Sequence, residues 1–340
     1  MKKICLLMGL MMVCFIFPIT LEAQNYDRMW KEVESLQKKD HSRSVIEKTE
    51  SIFSQALADK NLPQMIKAFM VCSEYKVRLS PDSINIQLEK LKEWASSETD
   101  ILGRSVLNSI WARIYSEGEP WEMDSIIQCL RLSLQEKDWL ASRSAALFYP
   151  VVISKDLSKE YFDDNMYDFL ARQAVRTLLS VSARENEKKI HNEILGIYDS
   201  LIALYSDAES PYRDKKAEAL TREARLVYLS DNCVYSKDKL SSDDAIKELK
   251  KLASEYQDID VYCDIALKLA QKYNQLRERV EAMSEIRKAL ELYPETRWTE
   301  DLKKLENNIL APSLRVEIPF VYPGYRTDIK VSYNLSLIHI

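Results

Sequence analysis

Residues 263–296 read CDIALKLAQKYNQLRERVEAMSEIRKALELYPET, and the reading of this stretch decides the fold. Leu269, Ala270 and Tyr273 fall on one face of a first helix, and Ala282 and Ala289 on one face of a second. Small alanines let two helices approach closely, while Tyr273 fills the space between them. Pro294 has no N–H to offer and stops the second helix. The segment predicts two amphipathic helices folded back on each other.

The same grammar extends in both directions. Met29, Val33 and Leu36 begin a three-and-four spacing that Val45, Ile46, Ile52, Phe53 and Leu57 continue. Breaks recur every 15 to 25 residues. Asn61-Leu62-Pro63 opens a helix through Val77. Ser80-Pro81-Asp82 opens another, with Ser80 as its expected cap and proline in the first turn. Further breaks fall at Gly118–Pro120, Pro150, Ser210-Pro211, Ser241-Ser242 and Pro294. About twelve helices joined by short polar turns follow, an all-α fold of stacked helical hairpins. Only five glycines occur in 340 residues, too few for sheets joined by tight turns. Residues 263–296 resemble a tetratricopeptide repeat, with Ala266 and Ile286 at positions where that pattern has aromatics. No neighbouring segment repeats it at the same offset. The resemblance implies a divergent superhelical array over residues 24–311, able to take an envelope protein or peptide in its groove.

Residues 1–23 read as a secretory signal peptide. Lys2 and Lys3 give the positive end, Ile4 to Ile19 the apolar core, and Leu21-Glu22-Ala23 the cleavage point. The run is shorter than a spanning helix needs, so no stable membrane span is expected after cleavage. Export to the periplasm, cell envelope or medium is the expectation. Cleavage takes two positive charges and one negative, moving the net charge from −5 to −6. Lysines and glutamates alternate along helix faces without a basic block, which excludes nucleic acid as an expected partner. Cys72, Cys129, Cys233 and Cys263 remain, enough for two disulfides in any of three connectivities. Large helical arrays need no such staples, and buried free thiols are the favoured reading.

Chemistry is sparse. The three histidines are His41 in a polar turn, His191 in a charged helix and His339 near the C-terminus, so triads and histidine metal sites are hard to build. No G-x-S-x-G, H-E-x-x-H or glycine-rich phosphate loop occurs. Asp163-Asp164 and Asp243-Asp244 precede helical runs and read as first-turn charges facing a helix dipole. No catalytic, cofactor-binding or metal-ligating residue is assigned, no cofactor is expected, and an enzyme is not expected. A Tyr, Leu and Ala stripe at helical spacing is more often core than binding surface, so no binding residue is assigned either.

The last residues change character. Leu314, Val316 and Ile318 alternate, Pro319 and Pro323-Gly324 break the run, and Ile329, Val331 and Tyr333 alternate again. Residues 312–334 read as two edge strands that start a β-sandwich, and the sandwich is expected to be truncated here. Residues 335–340, LSLIHI, are what CTG TCT CTT ATA CAC ATC encodes. That sequence resembles a transposon-end adaptor from library preparation and reads as an artefact.

The leader, NYDRMWKEVESLQKKD (residues 25–40), ALADKNLPQMIKAFM (56–70) and VYPGYRTDIKVSYN (321–334) together resemble the start of Bacteroides-type α2-macroglobulin family proteins. In these a helical N-terminal region precedes a string of β-sandwiches. The resemblance implies an exported endopeptidase inhibitor that traps proteases, in many members with a thioester. Here the helical region would be its scaffold or docking region, and proteases would engage the missing C-terminal part. The family's Cys-x-Glu-Gln thioester motif has no counterpart. Cys72-Ser73-Glu74-Tyr75 comes nearest, with tyrosine where the bond-forming glutamine would stand. The alternative is a self-contained tetratricopeptide-like interaction module of the cell envelope.

Overall fold

A computed structural model describes residues 25–118, 122–148, 165–181, 186–317 and 330–334. The segments read as signal peptide and adaptor, with His339, Pro150 and Asp163-Asp164, lie outside the described residues. The protein is all-α, with fourteen helices among the described residues. They form two compact units divided after Val181, a division that no composition shift marks.

The first unit contains α1 (residues 25–38), α2 (Ser42–Ala58), α3 (Leu62–Leu79), α4 (Ile84–Ser97), α5 (Ile101–Glu117), α6 (Met123–Ser133), α7 (Lys137–Ala141) and α8 (Met166–Ser180). The second contains α9 (Glu187–Ser206), α10 (Lys215–Val227), α11 (Ser242–Glu255), α12 (Tyr262–Gln275), α13 (Arg279–Leu292) and α14 (Thr299–Leu310). It also holds β1 (Ser313–Glu317) and β2 (Lys330–Asn334). The count exceeds the expected twelve partly because five-residue α7 is too short for periodicity to reveal.

Helix starts follow the caps that the sequence offers. Asn61 accepts from Gln64 N at 3.3 Å, and Ser241 Oγ accepts from Asp244 N at 3.1 Å. Ser80 departs from expectation. Pro81–Ser83 forms a 3-10 turn, and the Ser80 carbonyl, not its hydroxyl, accepts from Ser83 N (2.9 Å) and Ser83 Oγ (2.6 Å). The helix therefore begins only at Ile84.

Three turns share one construction. Asp40, Lys60 and Arg277 hold φ of 56°, 54° and 66°, the left-handed region that usually falls to glycine. Each donates its N–H three residues back, to Gln37, Leu57 and Asn274. The next residue in each case reaches back five: His41 N to Leu36 O, Asn61 N to Ala56 O, and Glu278 N to Tyr273 O, at 3.1, 2.8 and 2.9 Å. This paired closure, the Schellman motif, ends one helix and starts the next two or three residues later.

Packing runs between sequence neighbours. In the first unit α2 packs on α3, α4 on α5, and α5 on α6 and α8. Tyr26 and Trp30 dock α1 against the α2–α3 hairpin. Their rings are buried while Tyr26 OH donates to Asp59 Oδ2 (2.6 Å) and Trp30 Nε1 to Gln64 Oε1 (2.6 Å). In the second unit each helix from α9 to α13 packs on the next, and α12 also touches α10 and α14. Leu269, Ala270, Tyr273, Ala282 and Ala289 are all buried where α12 meets α13, together with Ala266 and Ile286. The substituted positions thus still serve as core.

The strands pair antiparallel, with Leu314 opposite Tyr333 and Val316 opposite Val331. Apolar rungs alternate with the polar rungs Arg315–Ser332 and Glu317–Lys330. Among the described residues the sheet has these two strands and no third.

Candidate functional site: an apolar groove and a buried polar cluster

Two places in the described structure depart from a plain packed hairpin, one in each unit. The first is a groove of about 370 Å³ between α3 and α4 over α5. The two helices run past each other with Phe69 edge-on to Trp94 (centroids 5.7 Å apart) and Ser73 Oγ donating to Gln87 Oε1 (3.2 Å). The 3-10 turn at Pro81–Ser83 joins them, and their mutual packing is sparse beside that of α2 on α3. Leu91 and Ile114 line the groove, with Val77 from α3 and Ile84 and Leu88 from α4. Leu79, Ile84 and Ile86 around the turn are exposed. The charged lining residue is Glu74, whose exposed pairing with Arg78 spans 3.7 Å and contributes little. The Cys72–Tyr75 segment singled out in the sequence lies in α3. Ser73 and Glu74 line the groove, whereas Cys72 and Tyr75 are buried and Cys72 Sγ lies 3.9 Å from Glu50 Oε1 of α2.

The second place surrounds His191, which is fully buried on α9. Its Nδ1 lies 2.9 Å from the Tyr228 hydroxyl and 3.7 Å from Cys233 Sγ. Its Nε2 lies 3.2 Å from Asp238 Oδ2, off the angle of a hydrogen bond. The Tyr228 and Tyr235 rings flank the imidazole at 5.7 and 5.8 Å. Tyr228 begins a π-helical turn, Tyr228–Asn232, that ends α10. Reading His191 simply as part of a charged helix missed this placement. Its neighbours in sequence held the signal: Ile194, Tyr198 and Leu201 lie three, seven and ten residues after it on the same face, and all are buried.

The order thiol, imidazole, carboxylate resembles a nucleophilic triad, but the geometry is that of a closed network. Tyr228 lies closer to Nδ1 than the thiol does. The Cys233 thiol donates instead to the Tyr235 carbonyl at 3.2 Å. Burial first, then the nearby Asp238 carboxylate, pushes that thiol up, while its bond to the Tyr235 backbone pulls the other way. Cys233 and Asp238 also sit on opposite nitrogens of one ring, so they cannot close on a single metal ion. Among the described residues no group of three or more His, Cys, Asp or Glu is placed to hold one.

The remaining candidates take structural positions. His41 stands at the start of α2 without a side-chain capping bond. Asp243 and Asp244 lie in the first turn of α11, as expected. Among the described residues Cys72, Cys129, Cys233 and Cys263 are free thiols, and burial pushes Cys129 and Cys263 up as well. No helix among the described residues is long and apolar enough to cross a membrane. In comparisons with family models, curated proteins and solved structures, nothing matches this chain.

Proposed function

We propose that this chain acts by docking another protein, and that its helices form a superhelical, tetratricopeptide-like scaffold for that purpose. The observation that carries this reading is the groove between α3 and α4, an open apolar surface in a unit whose other helices close on one another. The packing of α12 on α13 through Tyr273, Ala282 and Ala289 supports the repeat character. The resemblance at residues 25–40, 56–70 and 321–334 supports placing the scaffold in an exported α2-macroglobulin-like endopeptidase inhibitor, as its N-terminal docking region. The paired strands β1 and β2 agree with the β-sandwich start that this reading requires. A self-contained envelope interaction module shares the docking role and differs in lacking protease capture.

Two measurements test the reading. A photo-cross-linking residue at Ile84, in cells that make the protein, is expected to give a discrete adduct that the same residue at exposed Ser51 does not give. Equal adducts from both positions, or none, overturn docking at the groove. Incubating the protein isolated from its native envelope with an endopeptidase separates the two contexts. A retained protease complex supports the inhibitor, and simple degradation supports the self-contained module.

A further inference from the structure

The connection between α10 and α11 is the longest described link between consecutive helices of the second unit, and its hold on the helices is narrow. The Leu240 N–H donates to Leu229 O at 3.0 Å, closing a neck around residues 230–239. Surface loops of this size with joined ends are compact and frequently functional. Within the loop, residues 236–239 are exposed, as are Asp231 and Asn232. The loop is held at two buried polar side chains and, through the backbone of Val234, at the Tyr228 hydroxyl. Asp231 pairs with Lys272 of α12, itself only 5% exposed. Cys233, Tyr235 and Asp238 gather on His191 of α9. Tyr228, the strongest partner of His191, stands outside the neck.

We propose that residues 230–239 form a releasable strap, pinned by His191 and Lys272, which opens at its neck while α9 to α12 stay folded. Opening costs the Asp231–Lys272 and Asp238–His191 contacts and the contact of the Val234 backbone with the Tyr228 hydroxyl, but leaves the Tyr228–His191 bond in place. The imidazole therefore keeps a partner, and the helical core keeps its packing. With the strap lifted, the Nε2 edge of His191 and the face that Tyr235 covers become accessible, giving a polar and aromatic surface that the closed state conceals. The device makes that surface conditional, independently of the groove in the first unit.

Cys233 lies in the strap and is half-buried, while Cys263 of α12 is fully buried, so the protein carries its own reporter and its own control. The test follows alkylation of both thiols by iodoacetamide, with amide hydrogen exchange, in the native protein and in two variants. D238N removes an exposed carboxylate. D231N/K272M removes the second pin without leaving a buried ammonium alone. D231N/K272M is expected to speed Cys233 alkylation and exchange at 231–239 by about tenfold, the size of one lost net polar contact, and D238N by a smaller factor because its contact with Nε2 is not a hydrogen bond. Cys263 alkylation and exchange in α9 and α12 should not change. Unchanged rates in the strap, or acceleration of Cys263 and the helices in step with it, would overturn the proposal.

Discussion

The Tyr26 hydroxyl donates to Asp59 Oδ2 across 33 residues, tying the start of α1 to the end of α2. That bond, with a smaller contribution from Gln55, holds the Asp59 carboxyl below its usual range. A depressed carboxylate stabilises the fold above its unfolded value and loses that contribution as pH falls through the folded one. Tyr26→Phe is expected to raise the Asp59 titration midpoint and to flatten the acid limb of stability below about pH 4. Carbon-detected NMR titration of Asp59 in the two proteins checks it.

At alkaline pH Tyr256 should weaken the second unit, beside Tyr228 and Tyr262, whose phenols burial also pushes up. Burial and the neighbouring Glu218 push its phenol up to about 12, although its bond with Arg222 pulls the other way. The neutral phenol is the form that the fold favours, so stability holds below about pH 10 and is lost as pH rises toward 12. Tyr256→Phe should shift the alkaline unfolding midpoint upward, read by circular dichroism against pH. An unchanged midpoint would place the alkaline weakness elsewhere.

Close approach of α12 and α13 depends on small side chains. Ala289 is fully buried, and its carbonyl oxygen lies 3.7 Å from Cys263 Sγ of the facing helix. Ala289→Leu is expected to cost about 1–3 kcal/mol by overpacking, whereas Ala289→Ser should cost less. Thermal unfolding with exchange resolved to α12 and α13 measures both.

The groove residue Val77 is only partly buried, so Val77→Asp should change stability by no more than about 1 kcal/mol. The same change should abolish the cross-link expected from Ile84, because an unpaired carboxylate then occupies an apolar surface. Undiminished cross-linking with intact folding would move the docking site away from α3.

Much of the fold was legible because helices announce themselves locally. The helix opening at Asn61, the break at Ser241-Ser242, the stop at Pro294 and the alternation of residues 314–316 and 331–333 each depend on neighbours in the chain. The resemblance at residues 263–296 located the faces of α12 and α13 for the same reason. What stayed hidden depends on distant partners. His191 looked solvated among Lys188, Lys189 and Glu193, and only the return of residues 228–238 turns it into the centre of a cluster. The groove was equally hidden, since Phe69, Val77 and Leu88 carry the same spacing whether two helices close or diverge. Ser80 misled because a serine before proline suits either a cap or a 3-10 turn.

The glycine-free turns have a consequence for engineering. Lys60 and Arg277 occupy left-handed positions at exposed sites in separate units, where an ordinary side chain holds back about 1 kcal/mol relative to glycine. Lys60→Gly and Arg277→Gly should each raise the melting temperature of their own unit, independently of the other change. The molecule thus holds a reserve of thermal resistance at its hairpin tips, reachable without altering the groove or the strap. That margin could absorb the cost of mutations made at either place, so a scaffold fortified at its corners would tolerate redesign of its working surfaces.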